Sequence, residues 1–89
     1  MLKRHVDQIW ARLDELYANG ATFISRGELY HWYGVERINK TPWRDLKARW
    51  DDLLEEKNEK PCDPHVAEVR GGISLFFSRD PKSLGDLAA

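Results

Sequence analysis

The segment 41–57, TPWRDLKARWDDLLEEK, constrains the fold most, because a helix start and an apolar periodicity coincide in it. Thr41 is of a residue type that caps helices, and Pro42 suits the first helical position, where its missing N–H would have no partner. Five apolar residues then recur at three- and four-residue spacing: Trp43, Leu46, Trp50, Leu53 and Leu54. This spacing puts them on one face. The segment is predicted to be a helix over 41–57 with that face in the core.

The charges of the same segment change sign along its length. Arg44, Lys47 and Arg49 lie in the first half, and the second half carries Asp51, Asp52, Glu55 and Glu56. Residues 26–49 hold six Lys or Arg against three acids, whereas residues 51–60 hold five acids against two lysines. The whole chain has a formal net charge of −1. Because the total charge is so small, any contact with a polyanion has to come from a local basic patch such as 26–49.

Two shorter helices and a β-hairpin complete the predicted elements. Apolar periodicity predicts a first helix over 3–18, which the Asn19-Gly20 pair ends. Residues 21–24 could add one short strand. Ser25 and Glu28 have the spacing of a capping box, which predicts a second helix over 26–33. A turn then joins this helix to the one at 41–57, as in a helix-turn-helix.

The hairpin is predicted from two β-type runs, 65–70 and 73–78, that flank Gly71-Gly72. Two glycines can supply the positive φ angles of a tight primed turn, which would set Val69 opposite Ser74. Phe76 and Phe77 are consecutive, so they point to opposite sides of the strand and one of them is a candidate contact for a dimer or a partner. Residues 1–79 are predicted to form one domain, and residues 80–89 a flexible tail.

Several classes of protein are excluded by what the sequence lacks. A chain of 89 residues makes one domain, and Cys62, the sole cysteine, rules out an internal disulfide and favours a reducing compartment. We see no signal peptide and no apolar stretch of the roughly 20 residues that a membrane span needs, so we expect a cytoplasmic protein without membrane contact. His5, His31 and His65 are scattered and are expected to be surface or capping residues. No spacing of metal ligands and no Gly-rich phosphate loop occurs, so we expect no enzyme, metal, cofactor or small-molecule ligand.

The order helix, short strand, helix, turn, helix and hairpin over residues 3–78 resembles the winged helix-turn-helix fold of bacterial DNA-binding proteins, an α+β fold. Thr41, Leu46 and Leu53 fall where such recognition helices often place a capping residue and two core leucines, and Arg70-Gly71-Gly72 falls at the tip of the wing. The resemblance implies that the third helix enters the major groove of double-stranded DNA and that the wing touches the backbone or the minor groove. The residues it assigns to DNA are Arg26, Lys40, Thr41, Arg44, Lys47, Ala48, Arg49 and Arg70, of which Arg26 and Arg70 would contact phosphates.

Two functions follow as expectations. The first is a small DNA-binding protein for transcriptional or mobile-element control, working as a homodimer. The alternative is a winged-helix module for protein interaction, whose docking surface would be the acidic end of the third helix with an exposed hairpin aromatic. The sequence names neither an operator nor a partner. Convergence of the exposed basic residues on one face would favour DNA, and their scatter would favour protein docking.

Overall fold

The structure is a computed structural model that describes residues 1–34, 40–77 and 84–88. Its elements in chain order are α1 (Lys3–Asn19), β1 (Ala21–Ser25), α2 (Arg26–Tyr33), α3 (Lys40–Glu56), β2 (His65–Val69), β3 (Gly72–Phe76) and α4 (Leu84–Ala88). The three strands form one antiparallel sheet in the order β1-β3-β2. The predicted α+β class is therefore confirmed.

The first two helices form where the local signals predict them. α1 ends at Gly20, whose φ of 83° is left-handed and whose N–H donates to the Leu16 carbonyl at 2.8 Å. At the start of α2 the capping box is present: Glu28 N donates to Ser25 Oγ at 3.1 Å, and Ser25 N donates to Glu28 Oε1 at 3.0 Å. Arg12 of α1 binds the other oxygen of Glu28 at 2.7 Å, so this cap also joins the two helices.

α3 begins at Lys40, one residue earlier than predicted. Thr41 therefore lies inside the first turn rather than at the N-cap, and most of the predicted turn, residues 35–39, lies outside the described residues. The C-terminus closes as a Schellman motif, in which Asn58 has a φ of 56° and the N–H groups of Asn58 and Glu59 donate to Glu55 and Leu54.

The short strand that the sequence offered as an option is an integral part of the sheet. β1 pairs with β3 over its full length, from Ala21 opposite Phe76 to Ser25 opposite Gly72. β1 also continues directly into α2, because Ser25 ends the strand and caps the helix. The sheet thus holds α2 in place through an unbroken stretch of chain.

The predicted hairpin register is wrong by two residues. Val69 pairs with Gly72 rather than with Ser74, so the two-residue loop is Arg70-Gly71. Neither loop residue has a positive φ, so the predicted primed turn is not formed. The reason is that Gly72 is needed inside β3: a Cβ there would overlap the Ile24 carbonyl oxygen of β1 and come within 2.8 Å of Ser25 Cα.

The core lies between the helices and one face of the sheet. Its buried hydrophobic residues are Ile9, Leu13, Leu16, Ile24, Leu29, Trp32, Leu46, Trp50, Leu53, Leu54, Ile73 and Leu75. The predicted inward face of α3 is confirmed, with Trp43 partly buried at its margin. Phe77 packs on the core side against the Trp50 ring, with the centroids 5.6 Å apart.

The opposite face of the sheet, called here the outer sheet face, is partly exposed and mostly apolar. By strand alternation and register it carries Ala21, Phe23, Ser25, His65, Ala67, Val69, Gly72, Ser74 and Phe76, none of them Lys, Arg, Asp or Glu. Phe23 and Val69 are 46% and 42% exposed. Phe76 is the outward aromatic of the consecutive pair, and its ring lies 5.3 Å from that of His65.

The C-terminal tail differs from its prediction in one respect. The sequence shows no apolar periodicity there, yet residues 84–88 form the short helix α4, with all five residues exposed.

Across the described residues, no helix has the length and apolar character needed to cross a membrane.

Candidate nucleic-acid interface

The side of α3 that faces away from the core carries most of the residues that the sequence assigned to DNA. Lys40, Thr41, Arg44, Lys47 and Ala48 are all exposed and recur at the spacing of one helix face. In its C-terminal half the same side continues with Asp52, Glu55 and Glu56, also exposed. The exposed side of α3 is therefore basic at its start and acidic at its end.

Asp45, the acid in the basic half of α3, is turned away from this side. Its Oδ2 accepts from the Tyr33 hydroxyl at 2.7 Å and from Arg49 Nε at 2.8 Å. Burial, and then the bond to Asp45, raise the pKa of Tyr33 well above its ordinary value, so the hydroxyl stays a donor. The first half of α3 thus presents cations without an exposed acid among them.

Arg49 was predicted to face the groove, but it lies in the packing between α1 and α3. Its side chain is only 22% exposed, and its guanidinium carbon sits 5.6 Å from the centroid of the Trp10 ring. This contact and the ion pair to Asp45 both stabilise the fold, and they keep the Arg49 guanidinium away from the exposed side of α3. The spacing of Asp45 and Arg49, an i,i+4 pair, was the sequence signal for this role.

Lys47 is exposed but already has anionic partners. Its Nζ lies 3.1 Å from Asp51 Oδ2 and 3.0 Å from Asp63 Oδ1. The bonds to Asp63 and Asp51 raise the pKa of Lys47, which keeps it charged. Exposed ion pairs of this kind contribute little to stability, so an incoming anion can compete for the ammonium group. Sequence reasoning could have found Asp51 at i+4, whereas nothing local pointed to Asp63.

Arg26 and Arg70 lie beside each other at the hairpin loop. Arg26 Nη2 approaches the Val69 carbonyl at 3.4 Å, and exposed Arg70 follows Val69 directly. Arg26 also lines a shallow recess with Trp43 of α3 and Glu68 of β2. Trp43 lines a second recess with Lys47 and Val66 as well, so the hairpin runs next to α3 on this side of the molecule.

The free cations of the predicted site form two groups. Lys40 and Arg44 lie on the exposed side of α3, and Arg26 and Arg70 lie at the hairpin loop. Within the described part of the chain, no carboxylate pairs with any of the four. This arrangement offers separate phosphate contacts rather than one deep pocket.

The prediction that every histidine is a surface or capping residue is wrong for His5. His5 is only 6% exposed, and its ring meets that of His31 edge to face, with the centroids 5.3 Å apart. Burial lowers its pKa, and the charges of His31, Arg4 and the N-terminus lower it further. The contact joins α1 to α2 and has no sequence signal.

Among the described residues, no three His, Cys, Asp or Glu side chains are grouped so as to hold a metal ion.

Comparison of the chain with protein-family models, curated proteins and solved structures found no match. The function is therefore inferred from geometry and charge.

Proposed function

We propose that this chain is a winged helix-turn-helix domain that binds double-stranded DNA with the N-terminal half of α3 in the major groove. The observation that supports the proposal most is the exposed side of that half, where Lys40, Arg44 and Lys47 face solvent and Asp45 is withdrawn. Thr41 and Ala48 lie beside these cations on the exposed side and are small enough for close approach to base edges. A helix fits the major groove, which is about 12 Å wide.

The order of elements supports the same proposal. Helix, strand, two helices and a hairpin follow one another as in the family that the sequence resembles, and the sheet order β1-β3-β2 joins the first strand to the hairpin. In this proposal the loop at Arg70 is the tip of the wing. Arg70 and Arg26 then contact phosphates beside the groove that α3 enters, because both lie at the hairpin loop next to α3.

The acidic half of α3 is consistent with insertion of only the first turns of this helix into the major groove. Asp52, Glu55 and Glu56 would be repelled by phosphates, so only the first turns of α3 approach DNA. Recognition helices of helix-turn-helix proteins contact bases mainly through their N-terminal residues, which agrees with this charge pattern. Lys47 lies at the boundary, and it would exchange Asp51 and Asp63 for a phosphate on binding.

Titration of a fluorescein-labelled, mixed-sequence duplex at about 50 mM salt, followed by anisotropy, tests the proposal. Arg44→Ala is expected to weaken binding by about 1–3 kcal/mol on a preferred site if the side chain reads a base edge. Lys60→Ala is the matched control, because it also removes one exposed cation but lies beyond the acidic end of α3. Absence of binding by the wild-type protein, or equal losses in both variants, would reject the DNA proposal.

We also propose that two copies pair through the outer sheet face. Two copies of this face would bury apolar surface against each other, and no Lys, Arg, Asp or Glu side chains would repel one another across the contact. Three strands of five residues span about 14 by 17 Å, or about 240 Å². A standard interface buries about 800 Å² per partner, so we expect weak pairing that two neighbouring DNA half-sites would reinforce. Light scattering should show a mass above 10.4 kDa only at high concentration, and Phe23→Lys should remove the increase.

A protein-interaction module remains the alternative, favoured by the acidic end of α3. A cytoplasmic location stays a prediction from the sequence, in which Cys62 is the sole cysteine; its thiol is free and exposed.

A further inference from the structure

Residues 57–64, called here the return segment, run back along α3 after the helix ends. Glu59 N donates to the Leu54 carbonyl at 2.9 Å, Trp50 Nε1 donates to the Cys62 carbonyl at 2.9 Å, and Lys47 binds Asp63 at 3.0 Å. Later residues of the segment thus meet earlier residues of the helix. The return segment is therefore antiparallel to α3 over about two turns.

Two recesses meet at the Lys47–Asp63 ion pair and form the two ends of one groove: an acidic end between α3 and the return segment, and an apolar end between α1, α3 and the hairpin. The apolar end has a volume of about 290 Å³ and is lined mainly by Leu13, Leu16, Trp43, Leu46, Trp50, Val66 and Leu75. The acidic end has a volume of about 530 Å³. Acidic side chains line it, together with Leu54, Pro61 and Cys62. Lys47 and Asp63 line both ends, so their ion pair marks the boundary. We call the whole feature the α3 groove.

The apolar end is an incompletely filled part of the core. Val66 lies opposite Leu75 on the inner side of the hairpin, yet it is 47% exposed, whereas Leu75 is 4% exposed. β2 is an edge strand, and its Val66 faces the open space beside α3. Of the apolar lining residues, Val66 and the partly buried Trp43 face solvent in the free domain, and a large apolar side chain entering here would cover them, which favours binding.

The acidic end determines which sign of charge a bound molecule can carry. Four carboxylates line it, those of Asp51, Glu55, Glu59 and Asp63, against one cation, Lys47. Glu59 is held by the Tyr17 hydroxyl at 3.0 Å, so its position is fixed by the fold. An anionic occupant such as nucleic acid or a phospholipid surface would meet like charge here. A cationic segment would gain ion pairs along the same side that exposes the apolar space.

We propose that the α3 groove binds an extended basic segment of a partner protein, with one apolar side chain in the apolar end and flanking Lys or Arg residues against the acidic end. The negative charge of the acidic end and the apolar space beside it are complementary to such a segment. This binding does not require the proposed DNA contact, although Lys47 takes part in both.

Anisotropy with a fluorescein-labelled pentapeptide, one leucine flanked by two lysines on each side, tests the inference. Replacing the leucine by serine, or the lysines by glutamates, should weaken binding about tenfold or more. In the protein, Glu55→Lys with Glu59→Lys should weaken it about tenfold, the size expected for the loss of several exposed ion pairs. Asp52→Lys with Glu56→Lys is the matched control: the change in charge is the same, both residues are exposed on α3, and neither lines the groove. This control should lose less than about twofold.

Three results would overturn the inference. Equal losses in the two double variants would show general attraction to an acidic protein, and equal binding of the leucine and serine peptides would show that the apolar end is not used. A doubling of mass by light scattering that Glu55→Lys abolishes would assign the groove to a second copy of the chain. Because Glu59 also holds Tyr17, thermal unfolding of every variant is measured in parallel, and Glu55→Lys alone serves if the double variant unfolds.

Discussion

At the scale of single residues, Asp45 controls which charges α3 presents. It accepts from Tyr33 of α2 and from Arg49 of its own helix, and Arg49 in turn covers Trp10 of α1. One carboxylate thereby holds three helices and removes both itself and Arg49 from the exposed side. Lys40 and Arg44 remain exposed on that side.

Asp45→Ala should lower the free energy of unfolding by about 1–2 kcal/mol, because it leaves the Tyr33 hydroxyl and the Arg49 guanidinium half-buried without their acceptor. Asp52→Ala, an exposed acid of the same helix, should change it by less than about 0.5 kcal/mol. Urea denaturation followed by tryptophan fluorescence compares the two. Equal effects would show that Asp45 does not hold the helices together.

His5 should make the fold sensitive to mild acid. Its pKa is lowered from the ordinary value of 6.5 in the folded chain, so between these two pKa values the unfolded chain binds more protons. The stabilising contribution is complete above pH 6.5 and is lost as the pH falls towards the lower folded pKa. His5→Leu should reduce the drop in Tm between about pH 7.5 and 5.5, and the exposed His65→Gln should not. An unchanged drop in His5→Leu would mean that other groups cause it.

At the scale of elements, the sequence predicts α1, α2 and α3 well but misses α4 and the hairpin register. A helix is decided by signals within a few residues, such as the Ser25–Glu28 capping box, which the structure contains. The register of β2 on β3 depends instead on a contact with β1, about 50 residues away in the chain, where Gly72 presses on Ile24. Local turn rules cannot include such a contact, so they assigned Gly72 to the loop.

Two glycines test this explanation. Gly72→Ala should destabilise the fold by about 2 kcal/mol or more, because the new methyl group overlaps the Ile24 carbonyl. Gly27→Ala, in α2, adds the same methyl group where no atom lies within 4 Å, and should stabilise by about 0.5–1 kcal/mol through helix propensity. Opposite signs in urea denaturation are expected. Similar small effects would mean that the β1–β3 contact is looser than the structure indicates.

At the scale of the whole molecule, sequence reasoning found the exposed basic positions of α3 and missed the carboxylate that compensates one of them. Lys40, Arg44 and Lys47 were predictable because residues off an apolar stripe face solvent. The pairing of Lys47 with Asp63 depends on the path of the return segment, which the sequence does not specify. The same path creates the α3 groove, so its apolar end had no sequence signal, whereas the sequence did offer the acidic end of α3 as an alternative docking surface.

The salt dependence of DNA binding should report the number of phosphate contacts. If Arg26, Lys40, Lys47 and Arg70 each contact one phosphate while Arg44 reads a base edge, the slope of log Kobs against log salt should be about −3.6, from about −0.9 per contact. Arg70→Ala should reduce its magnitude by about 0.9 and weaken binding to all sequences alike. An unchanged slope would exclude the hairpin loop from the contact.

The charge reversal along α3 has a consequence for how the domain meets any polyanion. The backbone dipoles of a helix already make its N-terminus positive and its C-terminus negative. The cations at the start of α3 and the acids at its end act in the same direction, so α3 is an electric dipole in a chain with a net charge of only −1. Such a molecule is hardly attracted as a whole, but it experiences a torque. Within a Debye length, about 8 Å at physiological ionic strength, the field of a polyanion rotates the start of α3 towards it before any contact forms.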